Sequence, residues 1–119
     1  MEDKEVPLIN SKISVKMTEE QKESIKTKLG NAISLIPGKS ESWLMVGFDD
    51  DYSLYFKGIK SDKIALIEVK IFGKADRSAY EKLTQAICTI YNEELGIPGD
   101  KIYITYEEVM NWGYDGFNF

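Results

Sequence analysis

Polar and apolar residues alternate from residue 9 to residue 17. Ile9, Ser11, Ile13, Val15 and Met17 fall on one side, and Asn10, Lys12, Ser14 and Lys16 on the other. A period of two is that of a strand with one wet face. Pro7 stands at its head, where a strand-opening proline at a sheet edge is tolerated. At Thr18 the period changes. Ile25, Leu29, Ala32, Ile33 and Ile36 recur at helical spacing and make one apolar stripe. Thr18 is a good N-cap and Gln21, three residues on, completes a capping box. Glu19 and Glu20 sit where the helix dipole favours anions, and Pro37-Gly38 is the expected end.

The second half repeats the scheme. Ser42–Phe48 is a short apolar run, expected as a strand buried on both faces. Asp49-Asp50-Asp51 reads as a solvated turn, since it lacks the spaced ligands and distal glutamate of a calcium loop. Ser53–Phe56 is expected as a short strand and residues 63–72 as a long one. A second helix follows over about residues 76–95, with Tyr80, Leu83, Ile87, Ile90 and Tyr91 as its stripe, and Cys88 beside it as a small buried hydrophobe. A last strand covers about residues 101–107. The tail, residues 111–119, is rich in glycine and aromatics, with Trp112-Gly113 expected as a strand added to a neighbouring subunit.

Ile36-Pro37-Gly38 and Ile97-Pro98-Gly99 each follow a helix and precede an apolar strand. The chain therefore reads as two β-α-β units in tandem: an α+β fold with a four-stranded sheet and two helices on one face. The uncovered side is expected to carry mixed residues, Ser11, Glu68 and Lys70 among them. Trp43, Phe72, Tyr103, Trp112 and Phe117 are more aromatics than a small two-layer domain needs, which points to an oligomer.

Composition narrows the chemistry. The 119 residues suit one domain, and 43% are hydrophobic. A net charge of −5, from 20 acidic and 15 basic residues, argues against general nucleic-acid binding. No run approaches the roughly 20 apolar residues of a membrane helix, and the charged start MEDKEV does not resemble a signal peptide. A cytoplasmic location is the expectation, and the one cysteine cannot form an internal disulfide. The chain has no histidine. That removes Ser-His and Cys-His nucleophile pairs and most zinc ligand sets, so no metal and no cofactor are expected.

Pro7 and four stretches carry a resemblance. Pro7 heads the first strand, and Gly38-Lys39 follows the first helix. Phe72-Gly73-Lys74 is followed by Arg77-Ser78-Ala79-Tyr80-Glu81-Lys82-Leu83. Asp100-Lys101-Ile102-Tyr103-Ile104-Thr105-Tyr106 comes next, and Asn111-Trp112-Gly113-Tyr114-Asp115-Gly116 closes the chain. In this order and spacing the sequence resembles the macrophage migration inhibitory factor family of the tautomerase superfamily, from about Pro7 to Phe119. The resemblance implies a homotrimer in which three four-stranded sheets line a central barrel, with the helices outside and sites at subunit interfaces. It implies keto–enol tautomerisation of small α-keto acids of the phenylpyruvate type. Pro7 matches the catalytic base and Lys39 the carboxylate-binding lysine. Phe72 matches the residue whose backbone N–H binds substrate, Tyr103 the aromatic wall contributed across the interface, and Tyr114 an aromatic near the mouth.

One departure bears on the reaction. A free N-terminal proline is a secondary amine that an apolar pocket near cations keeps neutral, and so basic, near pH 7. Here Val6 precedes Pro7. The Pro7 nitrogen is then a tertiary amide, neither a base nor a donor. Residues 1–6 are expected to be a flexible extension that keeps Met1 and emerges at the pocket, with residues 7–119 as the domain. The Cys-x-x-Cys of some family members falls on Ile64-Ala65-Leu66-Ile67, so thiol redox activity is not expected, and Thr105 stands where the family commonly has asparagine. Two functions stay open: a tautomerase if Pro7 is exposed by processing, or a non-enzymatic homotrimeric binding or signalling module. A monomeric ferredoxin-like or ACT-like ligand-binding domain is a weaker third.

Overall fold

The computed structural model describes residues 6–119; the expectations for Met1 and the residues up to Glu5 lie outside this range. The first unit is β1 (Pro7–Ile13), α1 (Glu19–Ala32) and β2 (Met45–Asp49). A hairpin of β3 (Tyr55–Phe56) and β4 (Ile59–Lys60) leads into the second unit, β5 (Ala65–Phe72), α2 (Arg77–Leu95) and β6 (Ile102–Val109). A terminal hairpin, β7 (Gly113–Tyr114) and β8 (Phe117–Asn118), ends the chain. The main sheet runs in the order β2-β1-β5-β6. β1 is parallel to β2 and β5 to β6, while β1 and β5 join the units antiparallel. This is the tandem β-α-β arrangement, with each unit's first strand in the centre and its second at an edge.

The alternation of β1 and β5 decides which face is covered. Ile9 and Ile13 of β1, with Ala65, Ile67, Val69 and Ile71 of β5, are buried against Ile25, Leu29 and Ile33 of the first helical stretch and Leu83, Ile87 and Tyr91 of α2. Glu68 and Lys70 take the open face as expected. Ser11 does not. It keeps the phase of Ile9 and Ile13, is fully buried, and exchanges a hydrogen bond with the Tyr91 hydroxyl at 2.5 Å. A buried hydroxyl needs such a partner, and Tyr91 is long enough to supply it from the helix layer. On the open face Lys12 pairs with Glu68 at 3.4 Å.

Several boundaries differ from the sequence expectation. β1 stops at Ile13, because Val15 and Met17 bend toward the β2–β3 loop, where Asp51 N–H bonds Val15 O and the Asp50 carboxylate accepts the Met17 N–H at 2.8 Å. The capping box forms as read, with Gln21 N–H on Thr18 Oγ1 and Thr18 N–H on Gln21 Oε1. However, α1 tightens into a 3₁₀ turn at Ile33–Leu35, ahead of Pro37. β2 is an edge strand, not one buried on both faces: among the described residues it pairs with β1 alone, and Met45 is 70% exposed. Residues Glu41–Trp43 are a 3₁₀ turn, so the apolar run is only partly strand. The expected strand at Ser53–Phe56 shrinks to half of a two-residue hairpin. Its turn, Lys57-Gly58, has φ of 54° and 80°, and Asp115-Gly116 of the terminal hairpin has 52° and 85°. Positive φ at both central residues is the hairpin turn that suits strand twist. The tail thus folds back on itself, where a single added strand was expected.

Candidate functional site

Pro7, Lys39, Phe72 and Tyr114 meet at one end of the sheet. Pro7 is buried and stands opposite Ile71, which places Val6 opposite Phe72. The Phe72 N–H bonds the Val6 carbonyl at 3.3 Å. Antiparallel bonds alternate, so the ladder runs through Val6 and skips Pro7, which has no N–H to give. Val6, expected in a flexible extension, is 5% exposed and continues the β1 ladder by one residue.

Lys39 arrives from the other side of the sequence by a turn. Ile36-Pro37-Gly38-Lys39 is closed by the Lys39 N–H on Ile36 O at 3.1 Å, with Gly38 at φ 82°. Proline second and a positive-φ glycine third fit a type II turn. The second Ile-Pro-Gly copy does not repeat it: Gly99–Lys101 is a 3₁₀ turn. Lys39 is only 7% exposed, and its ammonium donates to the Phe72 carbonyl at 2.9 Å. A lysine this buried needs such acceptors. Both polar backbone atoms of Phe72 are therefore engaged, the N–H by Val6 and the oxygen by Lys39.

Aromatic rings wall this end. Phe72 meets Phe119 edge-on at 5.4 Å, Phe119 lies 6.3 Å from Tyr114, and Tyr114 meets Trp43 edge-on at 5.5 Å. Phe119 N–H bonds Trp112 O at 3.0 Å, which fixes the end of the chain against the terminal hairpin. A cleft of about 400 Å³ opens alongside, lined by Phe72, Gly73, Lys74, Glu108 and Met110. The Glu108 carboxylate accepts from the Tyr80 hydroxyl at 2.6 Å and the Ala75 N–H at 3.2 Å. The Tyr80 bond, then the Ala75 bond, hold Glu108 below the usual carboxylate range. Burial, with Glu108 beside it, pushes the Tyr80 phenol up.

Tyr103 is elsewhere. It is opposite Leu66, six positions along β5 from Phe72, and so roughly 20 Å away along the strand. It is 64% exposed and packs edge-on against Phe56 at 5.4 Å. Within one chain it does not join the other four. Val6, Phe119 and Trp43 belong to this end and were not singled out as site residues by the sequence. The Asp-Gly pair at 115–116 could have signalled the hairpin that brings Phe119 back; nothing in the sequence signalled the Val6 bond. Cys88 lies half-buried against the core, where burial pushes its thiol up. Among the described residues no group of three His, Cys, Asp or Glu could hold a metal ion, and no helix is long and apolar enough to cross a membrane.

Comparison with known proteins agrees with this architecture. The chain is similar to Leishmania major MIF2, with a TM-score of 0.87, 26% identity, and 96% of this chain and 97% of that chain covered. It is similar to a macrophage migration inhibitory factor-like protein from Entamoeba histolytica, with a TM-score of 0.84, 28% identity, and 95% and 98% covered. A fused 4-OT protein, described as an asymmetric trimer, shares the fold at 12% identity, with a TM-score of 0.82 over 93% of this chain and 94% of that one. No curated protein matches the sequence. The model of the family described as macrophage migration inhibitory factor matches residues 7–118. With nearly the whole chain matched, and the β-α-β tandem in place, the protein belongs to the macrophage migration inhibitory factor family.

Proposed function

We propose that the chain forms a homotrimer whose sites, at the Pro7 end of each sheet, take small α-keto acids of the phenylpyruvate type. The site has the parts for keto–enol tautomerisation. Pro7 with a free amine would remove a proton from the carbon beside the carbonyl. Lys39 would hold the carboxylate, and the Phe72 N–H would hold the oxygen on which charge develops. The rings of Tyr114 and of a neighbouring copy's Tyr103 would exclude water. Two features support self-association: among the described residues β2 and β6 leave unpaired sheet edges, and Tyr103 lies too far from Pro7 to serve it within one chain.

The observation that carries the proposal is the convergence of buried Pro7 and buried Lys39 on the Ile71–Phe72 end of β5. The same geometry sets its condition. While Val6 is bonded to Pro7 the nitrogen is an amide, so the full chain is silent as a tautomerase. The test is an enol tautomerisation assay with phenylpyruvate on the full chain and on a form beginning at Pro7. Turnover above the solution rate by the shorter form alone is the expected result. Failure of both removes the enzymatic proposal.

A further inference from the structure

The amide bond to Pro7 accounts for a silent base, but it does not account for what Val6 itself does. Val6 is buried, and its carbonyl holds the Phe72 N–H, the one backbone donor at this end assigned above to the ligand. Its stiff, β-branched side chain favours the extended backbone that makes this bond. It stands opposite Phe72 by continuation of the Pro7–Ile71 register. The neighbouring acceptor, Phe72 O, is already taken by Lys39 at 2.9 Å. A ligand oxygen seeking the Phe72 N–H must therefore displace a segment of the same chain. Among the described residues that segment is the last rung of the ladder, and at 3.3 Å its bond is longer than the usual backbone distance.

We propose that Val6 is a tethered competitor: it occupies the ligand position at Phe72, so the full chain excludes small α-keto acids from binding as well as from turnover. This rests on the site described above, and it differs from the blocked amine in what it predicts. A blocked amine alone abolishes chemistry and leaves binding intact. A tethered competitor abolishes binding too.

The experiment has two readouts, phenylpyruvate binding by titration of its ring resonances and exchange of the Phe72 amide proton by NMR. In the full chain Phe72 exchanges slowly and phenylpyruvate does not bind at millimolar concentration. In the form beginning at Pro7, the Phe72 amide exchanges at least tenfold faster, phenylpyruvate binds, and binding slows that exchange again. Val6→Gly in the full chain loosens the rung without shortening the chain, and the Phe72 amide should exchange several-fold faster there also. Equal phenylpyruvate binding by the full chain and the shorter form overturns the proposal, as does absence of binding to both. So does fast Phe72 exchange in the full chain, or an unchanged rate in Val6→Gly. If the shorter form binds phenylpyruvate without turning it over, the competitor stands and the proposed reaction falls. If it turns phenylpyruvate over while the full chain binds equally well, the reaction stands and the competitor falls.

Discussion

Single residues hold the two layers of this molecule together. The Ser11 and Tyr91 hydroxyls satisfy each other in the core between β1 and α2. Ser11→Ala leaves the Tyr91 hydroxyl buried without its partner and should cost about 1–3 kcal/mol of stability. Tyr91→Phe leaves Ser11 in the same position. The double variant should cost less than the sum of the two, since it strands neither group, and a denaturant-unfolding cycle measures this coupling. Burial pushes the Tyr91 phenol above its ordinary value of 10.0. The unfolded chain then loses this proton before the folded one does, so the group's stabilisation is complete below pH 10 and is lost as pH rises beyond it. Asp50 works in the opposite direction. The Met17 N–H, ahead of the Lys22 charge, holds its carboxyl below the ordinary value of 3.8. Asp50→Ala should cost about 1 kcal/mol at neutral pH. The cost should shrink as pH falls below 3.8, because the contribution is present above the unfolded value and lost through the folded one; urea midpoints across that range are the check.

Elements place the site, and the same elements set how far the sequence could be read. The alternation of β1 as far as Ile13, the capping box of α1 and the stripe of α2 are local patterns, and these formed as read. Pro7, Lys39 and Phe72 were identified through family order and spacing, and the β1–β5 pairing together with the turn after α1 brings them to one end of the sheet. What escaped depended on contacts between distant segments. Ser11 was assigned to the wet face because a polar residue was weighed above its phase in the strand. The Asp115-Gly116 and Lys57-Gly58 turns carry a hairpin signal that aromatic richness obscured. Val6 was taken for part of a tail, since no local pattern reveals that the ladder has one more rung. The turn that delivers Lys39 is testable on its own. A Cβ at Gly38 meets nothing within 4 Å, so Gly38→Ala changes only the cost of φ 82°. The loss should be about 1–2 kcal/mol, read from the shift in urea midpoint at constant slope.

At the scale of the whole molecule, the sheet of one chain is unfinished. Among the described residues both its edges are unpaired, its open face carries the Lys12–Glu68 pair, and Met45 and Tyr103 stand exposed. A trimer would pair the edges and bring Tyr103 of one copy toward Pro7 of the next. Sedimentation at micromolar concentration should then give three times the mass of the chain, and a monomer at that concentration would leave each site without its far wall. The proposed chemistry is narrower: the Pro7 nitrogen would be the base, silenced by its bond to Val6. The most direct measurement is the pH dependence of phenylpyruvate enol turnover by the form beginning at Pro7, with the full chain in parallel. Turnover by the shorter form should fall away as pH drops and the amine takes up a proton, with none by the full chain at any pH. Equal turnover by the two forms would contradict it.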